Sequence, residues 1–245
     1  MQSNEQNLKF KVAYDGSMYF GSQKQPDKHT VEDELLKAFK RLNIKTKIVF
    51  SGRTDRGVHA SGQIFNALIP KHWDDLKKLK KVLNHQLDPS VKILHISHVD
   101  ENFHSRFSAK RRTYRYLLTT KETNPFNQKY ITYEENIDVE TIKKAIKEFV
   151  GVHDFKYFHK TGSDKELTKR EIYEVDFYKY KDIYVIKFVA NSYLRSQIRL
   201  MVGALLAISN KKLTIEELKE QLALKKHNFK TPASANGLYL AKITY

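Results

Sequence analysis

Hydrophobic positions change their period several times along the chain, and those changes lay out its elements. Leu8, Phe10, Val12 and Tyr14 recur at every second residue, as on the buried face of a strand. Thr30 with Asp33 three residues later has the form of a capping box. Val31, Leu35, Ala38, Phe39 and Leu42 then share one face of a helix reaching about Leu42. Lys47 to Ser51 reads as a strand, residues 52–62 as a polar, Gly-rich loop, and Gln63 to Ile69 as the next strand. A helix from about Asp74 to Gln86 and a strand from Val91 to Val99 complete a β-α-β-β-α-β series.

From Thr113 the series nearly repeats. It runs through a strand Tyr114 to Thr120, a helix capped by Asp138 and reaching Val150, strands over 170–180 and 183–190, and a helix from about Leu194 to Ser209. A shorter helix opened by Thr214 and Glu217 and a strand Leu238 to Thr244 complete the chain. The pattern predicts an α+β fold of two ferredoxin-like halves, residues 1–105 and 106–245, the second with an extra helix and the two sheets able to join. No long Gly/Pro-rich segment or low-complexity tract parts them.

Composition narrows the class. With 245 residues, 40% of them hydrophobic, the chain has enough apolar surface to offset its conformational entropy, and a folded globular protein is expected. The absence of cysteine excludes a disulfide framework, a thiolate metal site, an iron–sulfur cluster and a cysteine nucleophile. The longest nearly apolar run, Leu200 to Ile208, is under half of the ~20 residues a membrane-spanning helix needs. Nothing in Met1 to Asp15 resembles a signal peptide, so a cytoplasmic protein is expected.

Charge supplies the first positive clue. The net charge is +16, of which residues 1–105 carry +5 and residues 106–245 carry +11. Such a field attracts polyanions by releasing counterions from a phosphate backbone, which makes nucleic acid the leading partner. Lys77, Lys78, Lys80 and Lys81 also fit a plainly solvated helix face. More informative is RFSAKRRTYR, in which Arg106, Lys110, Arg111, Arg112 and Arg115 are interleaved with Phe107 and Tyr114 and no anion intervenes. Cations for phosphates beside rings for bases suit single-stranded or looped RNA, and with Arg56 these five are the candidate RNA-binding residues.

The densest polar cluster is SGRTDRGVHASGQ, from Ser51 to Gln63. Small residues around Asp55 fit a tight loop in which a carboxylate faces a ligand instead of a core. Arg53 and Arg56 flank it, and guanidinium groups that close favour the ionised carboxylate that a nucleophile or general base requires. The competing structural role for Asp55 is a loop anchor through an Asx turn or salt bridge.

This loop closely resembles the catalytic loop of the tRNA pseudouridine synthase A family, in which G-R-T-D-x-G-V-H-A holds the catalytic aspartate. Further segments are similar in family order: YDGSMYFGSQKQP from Tyr14, TVEDEL from Thr30, FHSRFSAKRRTYRY from Phe103, GVHDF from Gly151, RSQIRLMVGALL from Arg195 and PASANGLYL from Pro232. The resemblance implies the pseudouridine synthase fold, a mostly antiparallel mixed sheet with flanking helices. It also implies a homodimer whose basic cleft binds the anticodon arm of tRNA, where uridines 38 to 40 are isomerised. It assigns Asp55 as nucleophile, Tyr114 as the ring that stacks on the target uracil, Arg53 as helper in displacing the base, Arg199 as partner of Asp55, and Leu238 or Leu240 as pocket lining. No cofactor and no metal are implied, since the conversion has no net redox change and no energy input.

The chain departs from the family pattern in three places. Ser22 replaces the usual Trp, Ser105 a common Ala, and Gln197-Ile198-Arg199 the usual Met-Val-Arg. Two rival readings compete with the isomerase. A metal-dependent nuclease would use Asp55, His59, His104, His153 and Asp154, but Gly57 makes a ligand-presenting helix improbable there, and the three histidines read better as loop-fixing hydrogen-bonders. An RNA-binding module explains the charge and leaves the GRTD loop without a purpose. Ile198, Met201, Val202, Leu205 and Leu206 read as core.

Overall fold

The computed structural model describes residues 4–160 and 167–245. The chain forms two compact units, residues 1–110 with 240–245, and residues 111–239. The sequence places the division at 105/106; the units instead change over at 110/111, and the closing strand is divided between them.

The first unit runs β1 (Glu5–Tyr14), α1 (Val31–Arg41), β2 (Val49–Phe50), β3 (His59–Pro70), α2 (Leu76–Gln86) and β4 (Val91–His98). β1 lies between β3 and β4, antiparallel to both, and β2 pairs with β3. The alternation in β1 turns Leu8, Phe10 and Val12 wholly inward. Phe10 faces Phe65 across the β1–β3 pair, the rings stacked at 4.6 Å with Phe39 of α1 edge-on to Phe10 at 5.7 Å. Truncating such a ring to alanine costs about 3–5 kcal/mol, so this trio anchors the sheet to α1. The expected capping box opens α1: Thr30 accepts from the Asp33 N–H, and the Asp33 carboxylate accepts from Thr30. Residues 240–245 return here, with Lys110 N–H donating to Thr244 C=O at 2.8 Å and the Tyr245 hydroxyl to Ser105 C=O at 3.0 Å.

The second unit holds β5 (Arg111–Thr119), β6 (Thr132–Tyr133), α3 (Val139–Ala145), β7 (Gly151–Asp154), β8 (Lys169–Tyr180), β9 (Ile183–Ala190), α4 (Gln197–Ser209), α5 (Ile215–Leu222) and the first residues of β10 (Leu238–Thr244). β5, β9, β8 and β7 are antiparallel neighbours in that order, and β6 runs parallel to β5, so the strand pairing is mixed. α4 is the core helix. Every residue in it except Arg199 is buried, including the five apolar positions expected to be core.

Some boundaries differ from the expected ones for local reasons. α3 ends at Ala145 and tightens into a 3-10 turn, Ile146–Phe149, which puts Ile146 and Phe149, three apart, on the same buried side. α4 starts at Gln197 because Ser196 is left-handed, with φ 59°, and the Gln197 side chain accepts the Leu194 N–H at 2.8 Å. Among the described residues no helix is long and apolar enough to cross a membrane.

Candidate active site

β3 begins at His59, so the polar cluster divides into a short connection, residues 51–58, and a strand that fixes its far end. The near end is gripped by Gln63, fully buried on β3. Its side-chain oxygen accepts from the Ser51 hydroxyl at 2.6 Å and from Ile64 N–H at 3.0 Å, and its amide donates to Gly52 C=O at 2.9 Å. The middle is gripped at Thr54. Its N–H donates to the Ser22 hydroxyl at 2.9 Å, its C=O accepts from Ser22 N–H at 3.2 Å, and its hydroxyl lies 2.8 Å from that of Tyr14.

Burial pushes the Tyr14 phenol up to about 12, with hydrogen bonds from Thr54, Gln63 and Ser22 opposing the shift, so the hydroxyl keeps its proton at any ordinary pH. Two glycines let the turn after β1 press this close: a Cβ on Gly16 would collide with Val58 C=O, and one on Gly21, at φ +103°, would sit 2.8 Å from Thr54 C=O.

The loop closes with Val58 N–H donating to Asp55 C=O at 3.1 Å, after which His59, buried, takes the Gly16 N–H on Nδ1 at 3.0 Å. The same Nδ1 lies 3.2 Å from Asp15 Oδ1. Asp55 itself is half-buried, between the exposed side chains of Arg53 and Arg56. Arg56 lies over the Phe20 ring, 4.4 Å from its centroid, with Lys28 5.0 Å from the same ring.

The basic segment is split by strand geometry. Arg106 and Lys110 are exposed, in the turn before β5, and on β5 the alternation sends Arg111 and Arg115 outward but Arg112 and Tyr114 inward. Arg112, taken from sequence as an RNA-binding cation, is 8% exposed and donates to Asn191 C=O. Its guanidinium is thus bonded within the second unit, unlike those of Arg111 and Arg115 on the outward face of the same strand. Tyr114 is 7% exposed and packs edge-on against Tyr193 at 5.3 Å. Burial pushes the Tyr193 phenol well up, with Tyr114 adding to the shift and Arg112 opposing it.

Arg199, the one residue of α4 that is not buried, is held by residues just ahead of β10: its Nε donates to Ala233 C=O at 2.8 Å while Ala233 N–H donates to Arg199 C=O at 2.8 Å. Leu238, in the second unit, and Leu240, in the first, are both buried.

Comparison with known proteins decides what this loop belongs to. The family model described as tRNA pseudouridine synthase matches residues 11–108 and 145–245. This chain belongs to the tRNA pseudouridine synthase family. Three relatives named tRNA pseudouridine synthase A match over nearly their whole length. The protein of Wolinella succinogenes is 40% identical over 234 residues, covering 96% of this chain and 92% of its own. That of Helicobacter hepaticus is 38% identical, covering 96% and 97%, and that of Helicobacter pylori strain 26695 is 37% identical, covering 97% and 99%. Pseudouridine synthases are isomerases, and membership makes this chain one of them.

For this pseudouridine synthase family member, sequence reasoning located the loop and missed what holds it. In the sequence Tyr14, Ser22 and Gln63 stand out only as members of longer motifs, Ser22 as a departure from the family pattern. The signal available was chemical: a Ser, a Gln and a Tyr in segments otherwise destined for the core need hydrogen-bond partners there. His59, His104 and His153 each contact nearby backbone: His104 Nδ1 accepts from Arg106 N–H at 3.2 Å, and His153 Nε2 lies 3.0 Å from Val150 C=O. Among the described residues no group of three His, Asp or Glu side chains is arranged to hold a metal ion.

Proposed function

We propose that this chain isomerises uridine to pseudouridine at uridines 38 to 40 of the tRNA anticodon arm, with Asp55 acting on the ribose. The observation that carries the reading is the setting of Asp55: the residue before it is tied at N–H, C=O and hydroxyl, and Asp55 lies half-buried in a short loop with two exposed arginines. A reacting group must be held to within a few tenths of an ångström, and a bond network on the adjacent residue contributes to that.

The chemistry asks for little else. The N1–C1′ bond breaks, the uracil turns, C5 bonds to C1′, C5 gives up its proton and N1 gains one. Asp55 begins this either by attacking C1′, which displaces the uracil, or by removing the C2′ proton to give a glycal. Both routes need the uridine out of its stem, at a few kcal/mol. On their motif positions, Tyr114, Arg53, Arg199, Leu238 and Leu240 are included as uridine-binding groups. We read each half as ferredoxin-like, the first following a β-α-β-β-α-β course and the second a similar course with β6, β7 and α5 added, and the working form as a homodimer, as the family resemblance implies.

The direct test is to incubate unmodified tRNA with the pure protein and map pseudouridine by carbodiimide primer extension, with and without a chelator. Stops at positions 38 to 40 that the chelator leaves unchanged support the reading. RNA bound but unmodified would leave an RNA-binding module in its place.

A further inference from the structure

The turn between β4 and β5 carries a feature that the isomerisation of a uridine does not use. Phe107 is 77% exposed, an uneconomical place for a benzyl ring unless something covers it. Its ring is stacked on that of His104, with centroids 4.3 Å apart and planes 30° apart, and the Arg106 guanidinium lies 5.7 Å from its centroid.

The pair is built to stay put. His104 Nδ1 accepts the N–H groups of both Arg106 and Phe107, at 3.2 and 3.3 Å. Ser108 N–H donates to His104 C=O at 2.9 Å, and His104 N–H to the Ser108 hydroxyl at 3.2 Å. Beneath it, the buried Ser105 donates its N–H to Asn66 Oδ1 at 2.9 Å. A ring fixed this way loses little freedom when another ring settles on it.

We propose that this turn is a stacking site for an unpaired nucleobase of RNA, with Phe107 the ring the base covers and Arg106 the cation beside it. The proposal rests on the reading that the substrate is RNA. Charge selects the occupant: no acidic residue lies between Phe103 and Arg115, and the chain carries +16, so a second copy laid on this face would bring like charge to like. A nucleotide brings a flat ring and a phosphate together, which is what the platform and its arginine match. Phe126, 89% exposed, has neither ring nor cation over it among the described residues and serves as the control.

The experiment measures tRNA affinity of the full chain at fixed salt, with melting temperature and sedimentation recorded for each variant. Phe107→Ala and Phe107→Leu are expected to weaken binding by about 5- to 100-fold. Phe107→Trp should bind at least as well as wild type, and Phe126→Ala should bind unchanged. The log–log salt slope should stay the same in Phe107→Ala but drop by about one in Arg106→Ala.

Wild-type affinity in Phe107→Ala, or full rescue by the flexible leucine, overturns the proposal. So does a change in sedimentation with tRNA affinity intact, which assigns the face to a second copy. Running the pseudouridine assay alongside separates the two readings. A wild-type protein that makes no pseudouridine yet loses RNA affinity in Phe107→Ala refutes the isomerase and leaves the stacking site standing. An active wild type with an indifferent Phe107→Ala refutes the stacking site alone.

Discussion

Residues 51–58 and the exposed cations of residues 106–115 are both conspicuous in the sequence, and the fold treats them oppositely. The first segment is tied by Tyr14, Ser22 and Gln63, whose polar groups are buried and hydrogen-bonded. Arg106, Lys110, Arg111 and Arg115 instead stand in solvent, where each can be replaced in its effect by a neighbour. Position is therefore held by few bonds that are expensive to break, and attraction by many charges that are individually cheap to lose. A buried donor stripped of its acceptor costs about 1–3 kcal/mol. A surface charge acts mainly through the summed field.

The contrast is broken most severely at Asp55. Asn keeps the shape and removes the charge, so Asp55→Asn is expected to fold, to bind tRNA within a few-fold of wild type, and to show no detectable turnover. Turnover that persists after mass spectrometry has excluded deamidation sinks the proposed role, and collapse of the fold makes Asp55 an anchor.

A smaller effect is expected one step away. Ser22→Ala leaves the Thr54 N–H without its acceptor, and we expect kcat to fall about tenfold, on the scale of one lost buried hydrogen bond, with tRNA affinity unchanged. Tyr14→Phe, which removes one hydroxyl from the same network, should fall less. If the melting temperature drops in both while kcat holds, the network supports the fold and not the working geometry of the loop.

The smallest effects sharpen the comparison within one strand. Arg111→Ala should weaken tRNA binding by less than about threefold, lower the salt slope by about one and leave the melting temperature alone. Arg112→Ala, one residue on, should lower the melting temperature by several degrees, because it removes a buried side chain that bonds Asn191 C=O. Identical behaviour of the two would mean that the alternation along β5 does not separate their roles.

What the sequence made legible depends on the range of the interactions involved. Capping boxes at Thr30–Asp33 and Thr214–Glu217 lie within one turn of helix and are readable directly. So is the Asp55 loop, whose residues are contiguous. Ser22 and Thr54 are 32 residues apart, and nothing in spacing says that a serine hydroxyl in one turn will be the acceptor for an amide in another. The two serine departures show this well: Ser22 puts its hydroxyl to use, whereas the buried hydroxyl of Ser105 finds no partner among the described residues. The inward turn of Arg112 is not legible from sequence, because a run of cations reads as one patch until pairing with β9 fixes which of them face inward. Residues 151–154 carry no strand signal of their own: Gly151 is left-handed, φ +108°, and pairing with β8 makes a strand of Gly151–Asp154.

The return of residues 240–245 to the first unit has a consequence for how the protein is made. The Lys110 amide and the Ser105 carbonyl wait for Thr244 and Tyr245, which leave the ribosome only after the whole of the second unit has been translated. The unit that carries the Asp55 loop is thus begun before the second unit and completed after it, and throughout that interval it exposes a strand edge, that of β3, which β10 has yet to cover. A nascent chain stalled in the second unit already contains Asp55 but lacks the segment that completes its unit, so activity should arrive with residues 240–245 and not with the loop itself.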